Sequence, residues 1–339
     1  MSAEKDILPV AILGAGNWGT VLAILASKQI PKVYLFDRDP ARVADMNSSR
    51  ENKRYLAGIR LPEAIQVTHD LEEIFASCRL ILPVIPSHAF RKFAKSYAPF
   101  TRGDHLLVHG TKGLEPVTHK RMSDILTEET STLRVGALSG PNLAVELAKG
   151  LPGATVVSSR FDEVIEAVMA AFSSDQLRVY GNHDLVGVEW AGALKNILAI
   201  AAGMLHELGF GQNALAMVLT RGMAEISKLI TAMGAHSSTL LGLAGIGDVI
   251  ATCTSPLSRN FRAGQMLARG QTSDEIEREL AMTVEGLNTI KVAMELGTQK
   301  RLDLPITLAL WQIAFERKSV KEAIRELMER PSTFEFSFQ

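Results

Sequence analysis

A lysine and an asparagine, Lys195-Asn196, interrupt an otherwise apolar stretch with helical spacing from Gly192 to Leu198. An ammonium group that is removed from water needs a partner and gives up its proton more readily. Such a group suits a reaction in which a forming alkoxide must receive a proton. The alternative is a lysine on the wet face of the helix, with only its stem along the apolar surface.

A second cluster, Gly245-Ile246-Gly247-Asp248, places an acid after a glycine-rich turn in another apolar stretch. Asp248 either caps the N-terminus of a helix or supplies the counter-charge that keeps Lys195 protonated and aimed. If a helix begins here, Thr252 lies on the same face as Asp248 because it is four residues further on.

A third cluster, Ser258-Arg259-Asn260, stands just before a helix-like segment from 262 to 269. The planar fork of arginine matches phosphate oxygens, and an amide and the free N–H groups of a helix N-terminus add further donors. This combination indicates a phosphomonoester ligand. The alternative is that Ser258 or Asn260 only caps the helix and that Arg259 is solvated.

The fourth cluster, Thr111-Lys112-Gly113, directly follows a strand candidate that ends at His109. In an open α/β sheet the carboxyl ends of the strands form the ligand crevice, where a lysine can polarise a carbonyl or hold an anion. The plainer interpretation of Lys112 is a solvated loop lysine.

A glycine turn, Gly14-Ala15-Gly16-Asn17-Trp18-Gly19, joins the apolar run Val10–Leu13 to a helix-like segment that begins at Thr20. The first glycine allows the tight turn, the second lets the backbone approach a pyrophosphate, and the third lets the helix pack closely on the strand. A second β-rich run ends at Asp37, 18 residues after Gly19, where an acid is expected to bind the cofactor ribose. The sequence therefore predicts a dinucleotide site, and a glycine turn that only packs is the alternative.

Two further segments support the cofactor side. Ser139-Gly140-Pro141 follows another strand candidate and would pass its backbone under the nicotinamide, although a glycine–proline turn needs no functional reason. Val284-Glu285-Gly286 offers a carboxylate before a helix, which is otherwise a plain N-terminal acid.

Asp37 and Arg38 favour different forms of this cofactor. Asp37 would bind the free 2′-hydroxyl of NAD and repel a 2′-phosphate, whereas Arg38 would attract the 2′-phosphate of NADP. We therefore expect the use of either NAD or NADP. A preference beyond about a hundredfold, near 2.7 kcal/mol, would contradict this balance.

The elements that must position these residues change type along the chain. From residue 7 to about 180, short β-rich runs alternate with helix-like segments, which predicts a mostly parallel sheet covered on both faces. Pro83 predicts a short or irregular strand because it cannot donate to a central ladder. The strand candidates after Val10–Leu13 are Lys32–Phe36, Ile65–Thr68, Leu80–Ile85, His105–His109, Arg134–Leu138, Ala154–Ser158 and Leu177–Tyr180.

After about Asp184, long alanine- and leucine-rich stretches with helical spacing predict a helical half that begins with a helix from 184 to 207. The predicted fold class is α/β, with an N-terminal Rossmann-type domain at 1–183 and an all-α substrate-binding domain at 184–339. Phe334, Phe336 and Phe338 alternate at period two. This pattern predicts an edge strand or a hydrophobic strip that packs against a partner subunit. The alternative is a tail that lies over its own domain.

Composition excludes several function classes. The 339 residues are 47% hydrophobic with a net charge of −1, so no overall field attracts nucleic acid or an anionic membrane. Glu189, Lys195 and Asp248 interrupt the most apolar stretches, which predicts no stable membrane insertion. Cys78 and Cys253 favour two buried thiols in the cytoplasm over a disulfide framework, and the eight histidines show no metal pattern.

Taken together and in this order, these clusters resemble the soluble NAD(P)-dependent glycerol-3-phosphate dehydrogenase family over nearly the whole chain. The resemblance implies reversible reduction of dihydroxyacetone phosphate to sn-glycerol 3-phosphate, which feeds phospholipid biosynthesis. It also implies a homodimer with a helical C-terminal domain. The motifs that carry it are the glycine turn, Thr111-Lys112-Gly113, Ser139-Gly140-Pro141, Leu194-Lys195-Asn196, Gly247-Asp248, Ser258-Arg259-Asn260 and Glu285-Gly286.

The same resemblance implies a role for each matching residue. Lys195 resembles the general acid/base, Lys112 would polarise the carbonyl, and Asp248 with Asn196 would orient Lys195 and the reacting oxygen. Gly140 and Thr252 would line the substrate, and Ser258, Arg259 and Asn260 would hold its phosphate. The implied cofactor contacts are Gly14, Gly16, Asn17, Trp18, Gly19, Asp37, Arg38, Lys112, Ala144, Arg259, Val284 and Glu285. Asn142 departs from the serine or threonine that bacterial members more often carry.

Two other functions compete with this interpretation. A related hydroxyacid or 6-phosphogluconate-type dehydrogenase would share the two domains and the helix lysine, but not the phosphate grip at 258–260. A non-catalytic NAD(P)-sensing module would keep the fold, yet would not require Lys112, Lys195 and Asp248 together.

Overall fold

The computed structural model describes residues 8–256, 258–280, 283–331 and 334–335. The chain forms two compact units. The sheet unit contains Met1–Ala193 and Met233–Ala251, and the helical unit contains Leu194–Ala232 and Thr252–Gln339. The domain boundary predicted between residues 183 and 184 stays a prediction.

The sheet unit is built on one eight-stranded sheet in the order β3-β2-β1-β4-β5-β6-β7-β8. Each neighbouring pair is parallel except β6 with β7, which are antiparallel. The strands are β1 (Val10–Leu13), β2 (Val33–Phe36), β3 (Ile65–Thr68), β4 (Leu80–Pro83), β5 (Leu106–His109), β6 (Val135–Ser139), β7 (Gly153–Ser159) and β8 (Leu177–Asn182).

Burial explains why the strands were visible in the sequence. Every residue of β1, β2, β4, β5 and β6 is buried, as expected for a sheet covered on both faces. All eight predicted strands are present. Pro83 is the last residue of β4, so the strand is short, as predicted.

In the described part of the chain before the end of β8, seven α-helices follow strands or connect them. Asp39 and Asp70 cap the second and third of these helices, accepting from Ala41 N at 3.0 Å and Glu73 N at 2.9 Å. The helices are α1 (Asn17–Ala26), α2 (Pro40–Ser49), α3 (Leu71–Ser77), α4 (Ser87–Tyr97), α5 (Met122–Glu129), α6 (Ala144–Ala148) and α7 (Asp162–Phe172).

Every assigned element after β8 is helical in the described part of the chain. The predicted helix from 184 to 207 is confirmed as α8 (Leu185–Glu207), and a helix does begin at Asp248. The others are α9 (Gln212–Ala232), α10 (Asp248–Cys253), α11 (Arg259–Ala268), α12 (Ser273–Leu280), α13 (Glu285–Gln299), α14 (Pro305–Glu316) and α15 (Val320–Met328). A short 3-10 helix (Ser237–Leu241) and a π-helical turn (Leu243–Gly247) precede α10.

One described helix, α8, is long and apolar enough to cross a membrane, but 94% of its most apolar 18-residue window is buried within the protein. This burial is typical of a core helix. No group of three or more metal-binding side chains occurs among the described residues. Phe334 is 88% exposed, whereas Phe336 and Phe338 lie outside the described residues, so the prediction for the tail stays open.

Candidate active site

The glycine turn after β1 leaves an open approach to the N-terminus of α1. Gly14 has a φ of +125°, and a Cβ there would lie 2.5 Å from the Val84 carbonyl oxygen. A Cβ on Gly19 would lie 1.9 Å from the Gly14 oxygen, so both positions require glycine for the close packing of helix and strand. At Gly16, the residue before α1, a Cβ would meet nothing within 4 Å. This open backbone fits a pyrophosphate at the helix N-terminus.

Two neighbours shape the same turn. Asn52 donates to the Ala15 carbonyl oxygen at 3.0 Å and to Thr20 Oγ1 at 2.8 Å, which ties the turn to the chain after α2. The indole nitrogen of half-buried Trp18 has no hydrogen-bond partner among the described residues. A Cβ on Gly110, just after β5, would lie 3.1 Å from that nitrogen, so the Trp18 ring covers the end of β5.

The end of β2 presents an acid and a base in different environments. Asp37 is 6% exposed, and its Oδ1 accepts from Asp39 N at 2.9 Å and from Arg42 Nη2 at 2.7 Å. Arg38 is exposed. The sequence reasoning missed Arg42, although it lies five residues after Asp37 in the first turn of α2.

Lys112 is held at the carboxyl edge of the sheet. Its Nζ donates to the Gly140 carbonyl oxygen and to Asp248 Oδ2, both at 2.7 Å. Thr111 Oγ1 donates to the Ile85 carbonyl oxygen at 2.7 Å and fixes the start of the loop. The interpretation of Lys112 as a merely solvated lysine is therefore wrong, because its ammonium is bound to a buried carboxylate.

A π-helical turn places that carboxylate. Asp248 is 2% exposed and begins α10 directly after the turn Leu243–Gly247. Gly245 has non-helical angles, and a Cβ there would lie 2.1 Å from the Leu240 carbonyl oxygen. Only glycine fits this turn, which aims Asp248 at Lys112. Short π segments are frequent at functional sites.

In the helical unit, Lys195 is buried, with 5% of the residue exposed. Its Nζ donates to Thr252 Oγ1 at 2.5 Å. The alternative of a lysine on the wet face of the helix is therefore wrong. Thr252 and Asp248 lie four residues apart on α10, as the sequence predicted.

An amide chain links three helices beside Lys195. Asn260 Nδ2 on α11 donates to Asn196 Oδ1 on α8 at 2.8 Å, and Gly286 N on α13 donates to Asn260 Oδ1 at 3.0 Å. A Cβ on Gly286 would lie 2.7 Å from Asn260 Oδ1, so this approach also requires glycine. The chain fixes Asn196 and Asn260 side by side.

The start of α11 carries the arginine. Ser258 caps α11, since its Oγ accepts from Phe261 N at 3.3 Å. The cap uses the hydroxyl oxygen as acceptor and leaves its proton for another partner. Arg259 is exposed in the first turn and has no ion pair among the described residues. A guanidinium beside free helix N–H groups is suited to an anion.

The start of α13 places two of the predicted cofactor contacts. Val284 is buried and precedes α13, and half-buried Glu285 is its first residue. Ala144 begins α6 and is half-buried.

A buried ionic network that the sequence reasoning missed lies behind the Lys112 loop. Glu189 accepts from Arg121 Nη1, Ser123 N and His109 Nε2, each at 2.9 Å, and from Ser123 Oγ at 2.5 Å. Burial alone would raise the pKa of Glu189, but these donors hold it below its usual range. Its only signal was an acid within an apolar helix. The network fixes His109, three residues before Lys112, to α5 and α8.

Comparison with known proteins agrees with this arrangement. The family model for the N-terminal part of NAD-dependent glycerol-3-phosphate dehydrogenase matches residues 9–165, and the C-terminal model matches residues 184–325. A glycerol-3-phosphate dehydrogenase [NAD(P)+] from Moorella thermoacetica is 44% identical and covers 96% of this chain and 97% of its own. One from Enterococcus faecalis is 39% identical, covering 97% and 98%.

A solved structure is similar to this chain over nearly its whole length. The crystal structure of glycerol-3-phosphate dehydrogenase from Coxiella burnetii superposes with a TM-score of 0.88 at 34% identity, covering 95% of this chain and 99% of its own. A ketopantoate reductase from Ralstonia eutropha, at 15% identity and a TM-score of 0.57, shares the fold alone. The chain therefore belongs to the NAD-dependent glycerol-3-phosphate dehydrogenase family.

Proposed function

We propose that this chain reduces dihydroxyacetone phosphate to sn-glycerol 3-phosphate, reversibly, with NADH or NADPH as the reductant. One observation carries the proposal: within the helical unit, a hydrogen bond links the residue next to the buried Lys195 ammonium to the residue next to the Arg259 guanidinium. Asn196, next to Lys195, accepts a hydrogen bond from Asn260, next to Arg259, at 2.8 Å. A small substrate with a carbonyl at one end and a phosphate at the other matches this pairing.

Lys195 is the proton donor in this proposal. When bound, the nicotinamide supplies the hydride. The carbonyl oxygen gains negative charge as it is reduced, and a positioned ammonium can give it a proton. Thr252 accepts one N–H of Lys195 and thereby fixes the direction of the others. In the reverse direction the neutral amine takes the proton from the alcohol.

Lys112 and Asp248 act as a pair. A charged Lys112 polarises the substrate carbonyl, and the buried carboxylate of Asp248 favours that charge at a distance of 2.7 Å. The Gly140 carbonyl oxygen accepts a second N–H of Lys112 at 2.7 Å, so two hydrogen bonds fix the position of the ammonium group. Asp248 is thus assigned to Lys112, in addition to the orienting role that the family resemblance implies.

Ser258, Arg259 and Asn260 hold the substrate phosphate. The Arg259 guanidinium supplies a planar pair of donors, and the backbone N–H groups at the start of α11 add the positive end of the helix dipole. The hydroxyl proton of Ser258 is available because the cap uses only its oxygen. Asn260 is oriented by Asn196 and Gly286.

The remaining site residues are assigned to the cofactor. The open turn at Gly16, with Gly14, Asn17, Trp18 and Gly19, takes the pyrophosphate, and Asp37 with Arg38 takes the adenosine ribose. The nicotinamide end is assigned to Lys112, Ala144, Arg259, Val284 and Glu285.

Steady-state rates of cofactor oxidation with two substrates test the function. With NADH, dihydroxyacetone phosphate should be turned over with a kcat/KM at least about a hundredfold above that for dihydroxyacetone, because the phosphate contacts are worth about 2.7 kcal/mol or more. Equal values would remove the phosphate argument. NADH binding without turnover of either substrate would instead favour the NAD(P)-sensing module.

The same proposal covers assembly and location. We infer a homodimer, as the family resemblance implies, and exposed apolar side chains such as Leu241 and Ile250 offer surface for a second copy. Sedimentation velocity should give twice the mass of the chain, and a monomer at micromolar concentration would contradict it. A cytoplasmic location and a role in supplying glycerol phosphate for phospholipids complete the proposal.

A further inference from the structure

Arg42 forms an ion pair with Asp37 at the end of β2. Asp37 Oδ1 accepts the Asp39 N–H at 2.9 Å and Arg42 Nη2 at 2.7 Å. The second oxygen of the carboxylate takes part in neither bond. The Arg42 side chain is 26% exposed, and its Nε is buried, so the residue lies at the margin of the surface while it holds the buried acid.

The charge balance around Asp37 follows from these contacts. An unpaired carboxylate at this position repels a 2′-phosphate, and this repulsion is the usual basis for choosing NAD. Here the Arg42 guanidinium neutralises that charge at hydrogen-bond distance. Two other charged residues lie next to Asp37 in the sequence, exposed Arg38 and half-buried Asp39. Asp39 Oδ2 lies 3.3 Å from Arg42 Nε, and Asp39 Oδ1 caps α2. Arg42 therefore pairs with both aspartates, and Arg38 adds a second cation next to Asp37 in the sequence.

We propose that Arg42 is a specificity-determining residue that permits the use of NADP as well as NAD, an inference that rests on the proposed cofactor site. Asp37 offers its second oxygen to the 2′-hydroxyl of NAD. For NADP, Arg42 and Arg38 bind the 2′-phosphate, while Asp37 stays paired with Arg42. Removal of Arg42 has two effects on NADP: it deletes a phosphate donor and exposes a repelling carboxylate.

A purely structural role for Arg42 makes a different prediction. If Arg42 only ties α2 to the end of β2, its loss should weaken the binding of both cofactors by the same factor and should lower stability. The specificity role requires a change in the ratio of the two dissociation constants. That ratio is the quantity to measure.

The test is the binding of NADH and NADPH, without substrate, by titration of nicotinamide fluorescence on the full chain. Arg42→Ala should raise the Kd for NADPH at least about tenfold, the loss expected for one charge-assisted bond, and the Kd for NADH less than about threefold. Arg60→Ala, which removes an exposed arginine paired with Glu63, is the matched control and should change neither.

A double variant separates the two effects. Asp37→Asn combined with Arg42→Ala removes the freed carboxylate, so it should recover at least about threefold of the lost NADPH affinity. Equal loss for both cofactors, or an unchanged ratio in Arg42→Ala, would overturn the proposal. If Arg42→Ala fails to fold, Arg42→Lys keeps the charge without the fork and should give an intermediate ratio; a ratio equal to that of the wild type would overturn the proposal.

Because the titration contains no dihydroxyacetone phosphate, it is independent of the reaction. A chain that discriminates between the cofactors as described but does not reduce this substrate would retain the inference and lose the proposed function. A chain that reduces the substrate, but whose ratio of Kd values for NADPH and NADH does not depend on Arg42, would retain the proposed function and lose the inference.

Discussion

Glu189→Ala should destabilise the sheet unit far more than an ordinary loss of an ion pair. The carboxylate is 3% exposed at its side chain and accepts hydrogen bonds from His109, Arg121 and Ser123. Removing one partner of a buried ionic pair leaves the other charge without compensation, which costs about 3–5 kcal/mol. Arg121 is 14% exposed and keeps its ion pair with Asp124, so its charge is still compensated in part after Glu189 is removed. We expect a loss at the lower end, about 3 kcal/mol.

Glu163→Ala is the matched control because it removes the same side chain from an ion pair with arginines, here Arg79 and Arg134, at the surface. Glu163 accepts from Arg134 Nε at 2.8 Å and from Arg79, yet its side chain is 41% exposed. An ion pair in contact with water contributes about 0–1 kcal/mol. The difference between the two variants therefore isolates the effect of burial.

Urea unfolding followed by circular dichroism measures both variants against the wild type. If Glu189→Ala and Glu163→Ala shift the midpoint equally, or if Glu189→Ala costs under about 1 kcal/mol, the network does not act as a buried ionic cluster. The network would then not anchor the Lys112 loop.

Three further predictions follow from single contacts. The donors around Glu189 hold its pKa low in the folded state, so its stabilisation is present above the unfolded pKa of ~4.3 and is lost as pH falls below that value through the folded pKa. Urea midpoints should therefore fall less between about pH 5 and pH 3 in Glu189→Ala than in the wild type, and equal slopes would contradict this. Arg259→Ala should raise the KM for dihydroxyacetone phosphate at least about tenfold with kcat within about threefold, since it removes binding to a remote phosphate; a change confined to kcat would refute the role. Gly245→Ala should lower kcat/KM at least about tenfold, because its Cβ would lie 2.1 Å from the Leu240 carbonyl oxygen and the turn would have to move Asp248. Gly247→Ala is the control, since a Cβ there would have no neighbour nearer than 3.7 Å. Equal kcat/KM values for the two variants would show that the turn does not position Asp248.

The fold was largely predictable because the sheet is buried on both faces. Continuous apolar runs mark strands such as β1 and β2, and Pro83 marks the end of β4. The long apolar spacing of α8 was equally clear. These signals are local, so one sequence is enough to detect them.

The choice of partners was not predictable, since it depends on contacts between distant residues. Glu189 and His109 are 80 residues apart, and Lys112 and Asp248 are 136 apart. The motifs indicated that Lys112, Asp248 and Lys195 carry chemistry, but not that Asp248 pairs with Lys112 or that Thr252 pairs with Lys195. The π turn before Asp248 has no periodic signal, because five residues are too few to show one.

The kcat of Lys195→Ala with dihydroxyacetone phosphate and NADH tests the central claim most directly. Loss of the proton donor should lower kcat at least about a hundredfold, the lower range for general acid catalysis, while the Kd for NADH stays within about twofold. Lys228→Ala, which removes an exposed lysine from α9, should retain the wild-type rate. A Lys195→Ala enzyme that turns over at nearly the wild-type rate would contradict the account.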